Sequence, residues 1–252
     1  VRMFLVEKNI TDIELIEIDI MKGEHKTPEY RSLAPNSRIP ALELDDGTVI
    51  MESTAICRYL EALYPQPNLF GENPIEIASI EMWQARIYNE LMIPLAMAFR
   101  HLHPAMSELE IQNHDYGNTQ KNIATKSLKY FNGVLSESEF VAGERYTFAD
   151  IQMITTTDFF IGLNRLDMKD YPQIQRHYDL MAQRPSFSAY TLSACSRIFI
   201  VCSGPLNSSL ASSISETELH PAAIFSGVIS SPVPRARPIV SIILNLVNTP
   251  AP

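Results

Sequence analysis

Cysteine is scarce in this chain: Cys57, Cys195 and Cys202 are the only three in 252 residues. They show neither metal-ligand spacing nor a paired framework. That excludes a disulfide scaffold and suits a reducing, cytoplasmic compartment. Basic runs are missing as well. With a net charge of −9 at pH 7, the chain has no clustered cations to release counterions from a phosphate backbone, so no nucleic-acid partner is expected. The longest late apolar run, "PIVSIILNLV", is about half of the ~20 residues that cross a bilayer, so no membrane partner is expected either. His101 and His103 are two apart and leave a helix in different directions, so they cannot share a metal there. What remains, 46% hydrophobic and 19% charged residues, is ordinary for a soluble globular protein long enough for two domains.

"VRMFLVEKNI" carries apolar residues at helical spacing and ends on Lys8-Asn9, which predicts a short helix with Asn in a left-handed cap. "DIELIEIDI" (12–20) alternates isoleucine and leucine with acids and predicts a strand. "IPALEL" and "TVIM" flank "DDGT", whose Asp-Gly predicts a hairpin. A helix follows from about Ser53 to Leu63. The stretch "YPQPNLFGENP" (64–74) packs three prolines and a glycine into a connector.

Beyond the connector the pattern is helical to about residue 190. Ile77, Ile80, Trp83, Ile87, Leu91, Leu95 and Ala98 form one apolar stripe, with Pro94 expected to kink the helix and His103-Pro104 to end it. A second helix spans about 115–135. "YTFADI" (146–151) predicts a third, with Thr147 as N-cap and Asp150 completing an acidic capping box. "YPQIQRHYDLMAQRP" predicts a fourth, opened by Pro172. The last 61 residues hold 12 serines and 7 prolines but only five charges, and are expected to be disordered or loosely packed.

"RIPALELDDGTVIMESTAICRYLEALYP" resembles the glutathione-binding half of cytosolic glutathione transferases, and "MKGEHKTPEYRSLAP" is similar to theta-type and related bacterial members. "FVAGERYTFADI" and "RPSFSAY" resemble the helical half, so the resemblance covers about residues 1–190. It implies an α/β thioredoxin-like N-terminal domain (1–66), a linker (67–74) and an all-helical C-terminal domain (75–191), followed by an atypical tail (192–252). It also implies glutathione as co-substrate, small electrophiles as partners, a role in detoxification and a homodimer.

The implied glutathione site has two ends. Ser53 and the helix N-terminus suit the γ-glutamyl carboxylate, and Glu52 suits the adjoining ammonium. Ile39 would pair its backbone with the cysteinyl peptide. Pro40 matches the family's cis-proline. Arg38, His25 and Lys26 match positions that reach the glycyl carboxylate. Taken alone, Glu52-Ser53 is an ordinary helix start, and Arg38, His25 and Lys26 are ordinary surface residues; the surrounding pattern favours the site for Glu52, Ser53 and Arg38, and leaves His25 and Lys26 evenly balanced between a solvated loop and the site. Thr147 and Asp150 read as structural, Cys57 as a small core residue, and Arg86, Tyr88 and Arg100 as candidates for the electrophile pocket.

One part of the family pattern is missing. Relatives begin with a strand and a loop carrying the serine, tyrosine or cysteine that activates the glutathione thiol. This sequence opens inside the following helix, so the catalytic residue is expected upstream of Val1. The first strand, central in a 2-1-3-4 sheet, is expected to be absent with it, and the N-terminal half to fold poorly. Replacement of that strand by the late segment "PIVSIILNL" is a further alternative. A different class of function, a non-catalytic glutathione-transferase-like interaction domain, also fits the sequence.

Overall fold

The computed structural model describes residues 1–20, 22–107, 111–162, 167–194 and 198–199. They fall into two compact units. One contains residues 9–59, and the other contains Arg2–Lys8 and the helices from Leu60 to Thr191.

In the 9–59 unit, β1 (Glu17–Ile18) pairs antiparallel with β4 (Ile198–Phe199). The strand predicted over 12–20 is thus only two residues long. Alternation supplies the right faces, but a strand forms only where a ladder partner exists, and among the described residues that partner is β4. The late segment proposed as a replacement strand lies outside the described residues, as does nearly all of 195–252. A short helix that the sequence reading did not anticipate follows, α2 (Pro28–Leu33). The Thr27 side chain accepts from the Tyr30 N–H at 3.3 Å, and Pro28 takes the first helical turn. Then β2 (Ala41–Glu43) and β3 (Val49–Met51) pair in register, Ala41 with Met51 and Glu43 with Val49. Gly47 makes the turn at φ 83°, a backbone state glycine adopts without steric cost. α3 (Ser53–Leu63) begins two residues after β3. Tyr30, Ala34 and Ala41 form the core of this unit, with Ile18, Ile39, Val49 and Met51 packed against it.

The helical unit includes α1 (Arg2–Glu7). Asn9 follows it at φ 54°, the left-handed state expected of the cap. Phe4 packs against Phe70 and Phe148, with ring centroids 6.0 Å away in each case. Lys8 ends the helix fully buried. Its ammonium donates to the carbonyls of Tyr64 (2.8 Å) and Pro67 (2.6 Å) and forms an ion pair with Glu61 at 2.5 Å. On the other side Glu7 accepts two bonds from Arg184, at 2.8 and 2.7 Å, and one from Ser186.

α4 (Pro74–Arg86) and α5 (Ile93–Leu102) are joined by a π-helical turn at Ile87–Met92. Pro94 explains the turn. It has no N–H, and its ring crowds the carbonyl four residues back, so the helix widens and the Ile93 N–H bonds to Tyr88 O instead. α6 (His114–Glu137), α7 (Phe148–Gly162), α8 (Pro172–Ala182) and α9 (Pro185–Ala194) complete the unit. Ile87, Leu91, Phe131, Met153, Phe160 and Ile174 form the centre of its core.

At the start of α7 the Asp150 carboxylate is a buried hub. One oxygen accepts from the Thr147 N–H (2.9 Å) and hydroxyl (3.2 Å). The other accepts from the Val141 N–H (2.8 Å) and lies 3.0 Å from His177 Nε2. The capping role of Thr147 and Asp150 is therefore wider than the sequence suggests. It also ties α8 and the 138–141 segment to the same carboxylate.

Candidate functional site

All six residues matched to the glutathione site lie in the 9–59 unit. The hairpin register explains how Ile39 and Pro40 meet Glu52 and Ser53. Ala41 faces Met51, so the residues before Ala41 and after Met51 extend from the same end of the ladder. The Ile39–Pro40 peptide is cis. Glu52 sits at φ 70°, in the left-handed region that non-glycine residues rarely occupy. Backbone held in that state persists only where its surroundings enforce it, and such positions cluster at ligand sites. Glu52 O accepts the first helical bond, from the Ile56 N–H at 3.0 Å. The N–H groups of Ser53, Thr54 and Ala55 therefore have no intrahelical acceptor and form an anion-receptive end.

The other matched residues lie around α2. His25 and Lys26 lie in a short 3-10 turn (Glu24–Lys26) that leads directly into the Thr27 cap. Burial pushes the His25 imidazole below its ordinary range, and the charges of Lys26 and Arg31 push it further. Arg31 is thus part of the cluster, although the sequence did not single it out. Its Nε donates to Ser37 Oγ at 3.0 Å, next to Arg38. The turn before Arg38 is also fixed by the Ser37 N–H on Ala34 O (2.8 Å) and the Arg38 N–H on Asn36 Oδ1 (3.0 Å).

Arg86, Tyr88 and Arg100, the candidates for the electrophile pocket, are not brought together. Arg86 and Arg100 are 14 residues apart along α4 and α5, about 21 Å at helical rise. The Arg86 guanidinium bonds to Glu90 and Tyr130 and lies 4.2 Å from the Tyr130 ring centroid, so it is engaged structurally. Tyr88 is half exposed on the π turn. Arg100 O accepts from the Gln112 side chain. Cys57 is fully buried. No cluster of metal-ligating side chains occurs among the described residues.

A small thioredoxin-like unit with an anion-receptive helix start beside a cis-proline, followed by an all-helical unit, defines a glutathione-transferase-type architecture. The family Glutathione S-transferase, N-terminal domain matches residues 1–63, and the family Glutathione S-transferase, C-terminal domain matches residues 104–194. Glutathione S-transferase 2 of Saccharomyces cerevisiae is 37% identical over 189 residues, covering 74% of this chain and 81% of that protein. The crystal structure of Gtt2 from Saccharomyces cerevisiae superimposes with a TM-score of 0.67 at 36% identity, over 73% of this chain and 90% of that one. Elongation factor 1-gamma 2 of Oryza sativa is 30% identical over 181 residues, covering 69% of this chain and 41% of that protein. The chain belongs to the glutathione S-transferase family, a transferase family whose co-substrate is glutathione. Among the described residues, no helix is long and apolar enough to cross a membrane.

Proposed function

We propose that this chain binds glutathione in its 9–59 unit and serves conjugation of the glutathione thiolate to small electrophiles. Ser53 and the start of α3 hold the γ-glutamyl carboxylate, and Glu52 accepts from the ammonium beside it. The Ile39 backbone pairs with the cysteinyl segment. Arg38, His25 and Lys26, with Arg31 beside them, face the glycyl carboxylate. No residue described above is assigned to thiol activation. The single observation that carries the reading is Glu52, held in a left-handed backbone state directly before the open N-terminus of α3. The protein works as a homodimer in the cytoplasm.

Calorimetric titration of glutathione into the full chain tests this, with Ser53→Ala as comparison. Saturable binding that weakens about tenfold or more in Ser53→Ala is expected, the scale of a charge-assisted hydrogen bond. Absence of binding by the unsubstituted chain overturns the reading. The similarity to Elongation factor 1-gamma 2 favours a second reading, a non-catalytic interaction domain. Glutathione binding without turnover of an aryl halide would select it.

A further inference from the structure

We infer that Tyr30 is a positioning residue for glutathione, aiming the Ile39 N–H at the cysteinyl segment of the tripeptide. The inference rests on the glutathione reading above.

Tyr30 is 4% exposed, its ring packed with Ala34 and Ala41 in the core of the 9–59 unit. A phenylalanine would fill that space equally well, so the hydroxyl needs its own explanation, because a buried hydroxyl is costly unless bonded. It donates to the carbonyl of Arg38 at 2.8 Å. That carbonyl shares a planar trans peptide with the Ile39 N–H, and in such a unit the two groups point in opposite directions. Fixing the Arg38 carbonyl toward the core therefore fixes the Ile39 N–H away from it. Among the described residues, none accepts from that N–H.

The preceding part of the turn is held by bonds of its own. The Arg38 N–H is bonded to Asn36 Oδ1, and Ser37 is tied to Ala34 and to Arg31. Among the described residues, only the Tyr30 bond acts on the peptide that carries the Ile39 donor. The helix that carries Tyr30, α2, follows in sequence directly on the segment that carries His25 and Lys26.

The test uses the full chain, glutathione, and a glutathione analogue whose cysteinyl–glycine amide is replaced by an ester, a weaker acceptor. In calorimetric titrations, Tyr30→Phe is expected to weaken glutathione about five- to tenfold, the scale of one hydrogen bond, and to weaken the ester analogue by less than about twofold. Equal weakening of both ligands, or no change in either, overturns the inference while leaving the functional reading in place. So does loss of folding in Tyr30→Phe, seen by circular dichroism at the titration temperature, because the hydroxyl would then be structural. No glutathione binding by the unsubstituted chain overturns the functional reading itself, and this inference with it.

Discussion

His25 shows how a single side chain can report on the candidate site. Its Nδ1 is buried without a hydrogen-bond partner, and burial, then Lys26 and Arg31, hold its pKa below the ordinary value. The unfolded chain therefore binds a proton that the folded chain resists. Stability rises with pH between the lowered folded value and the ordinary value of about 6.5, and the penalty is fully present below both. Thermal melts from about pH 5 to 7.5 are expected to show the unsubstituted chain losing stability on acidification relative to His25→Gln. Parallel pH profiles would contradict this. The same scale shows what sequence can reveal. Glu52, Ser53, Arg38 and Ile39 can be proposed from sequence because their order along the chain carries the family pattern. Lys8, Tyr30, Arg31 and His177 were not, because their roles depend on partners that sequence does not pair with them. Lys8 looks like a solvated helix end until Tyr64 and Pro67, 56 and 59 residues away, supply its acceptors.

Elements were read best where they were long or carried local punctuation. The hairpin announced itself through Asp-Gly, and α4 and α5 through an apolar stripe at helical spacing. α2 escaped because six residues are too few for a period, even though Thr27-Pro28 is a sound helix start. The opposite holds for β1, where alternation is clear but pairing among the described residues involves Glu17 and Ile18 alone. The start of α7 is the element most dependent on one group. Asp150→Ala would orphan the Thr147 and Val141 N–H groups and leave buried His177 without its carboxylate. Urea denaturation is expected to record a loss of roughly 2–5 kcal/mol, the scale of two or more buried donors left unsatisfied at about 1–3 kcal/mol each. A change below about 1 kcal/mol would show that water or neighbouring groups replace it.

At the scale of the molecule, the proposed homodimer has a visible surface to use. Tyr116, Ile123 and Tyr130 recur every seven residues on α6 and are 42, 40 and 42% exposed. That spacing returns them to one face of the helix. Ile75 and Met82 repeat the same interval on α4 and are also exposed, and the two stripes adjoin where Tyr130 stacks on Trp83 at 6.3 Å. Light scattering is expected to give twice the chain mass for the unsubstituted protein and the single mass for Ile123→Asp, because a buried unpaired carboxylate opposes association. A dimer unaffected by the substitution would place the interface elsewhere.

α1 has a consequence for assembly. Glu7 and Lys8 fasten it inside the helical unit, against Arg184 on one side and Glu61 with the connector on the other. Residues 9–59 consequently leave the helical unit at one pinned point and return to it at another, through the second half of α3. In polymer terms the 9–59 segment is a closed loop rather than a bead on a string. Once the helices have formed, its ends no longer search for each other, and the entropy of closing that loop has already been spent.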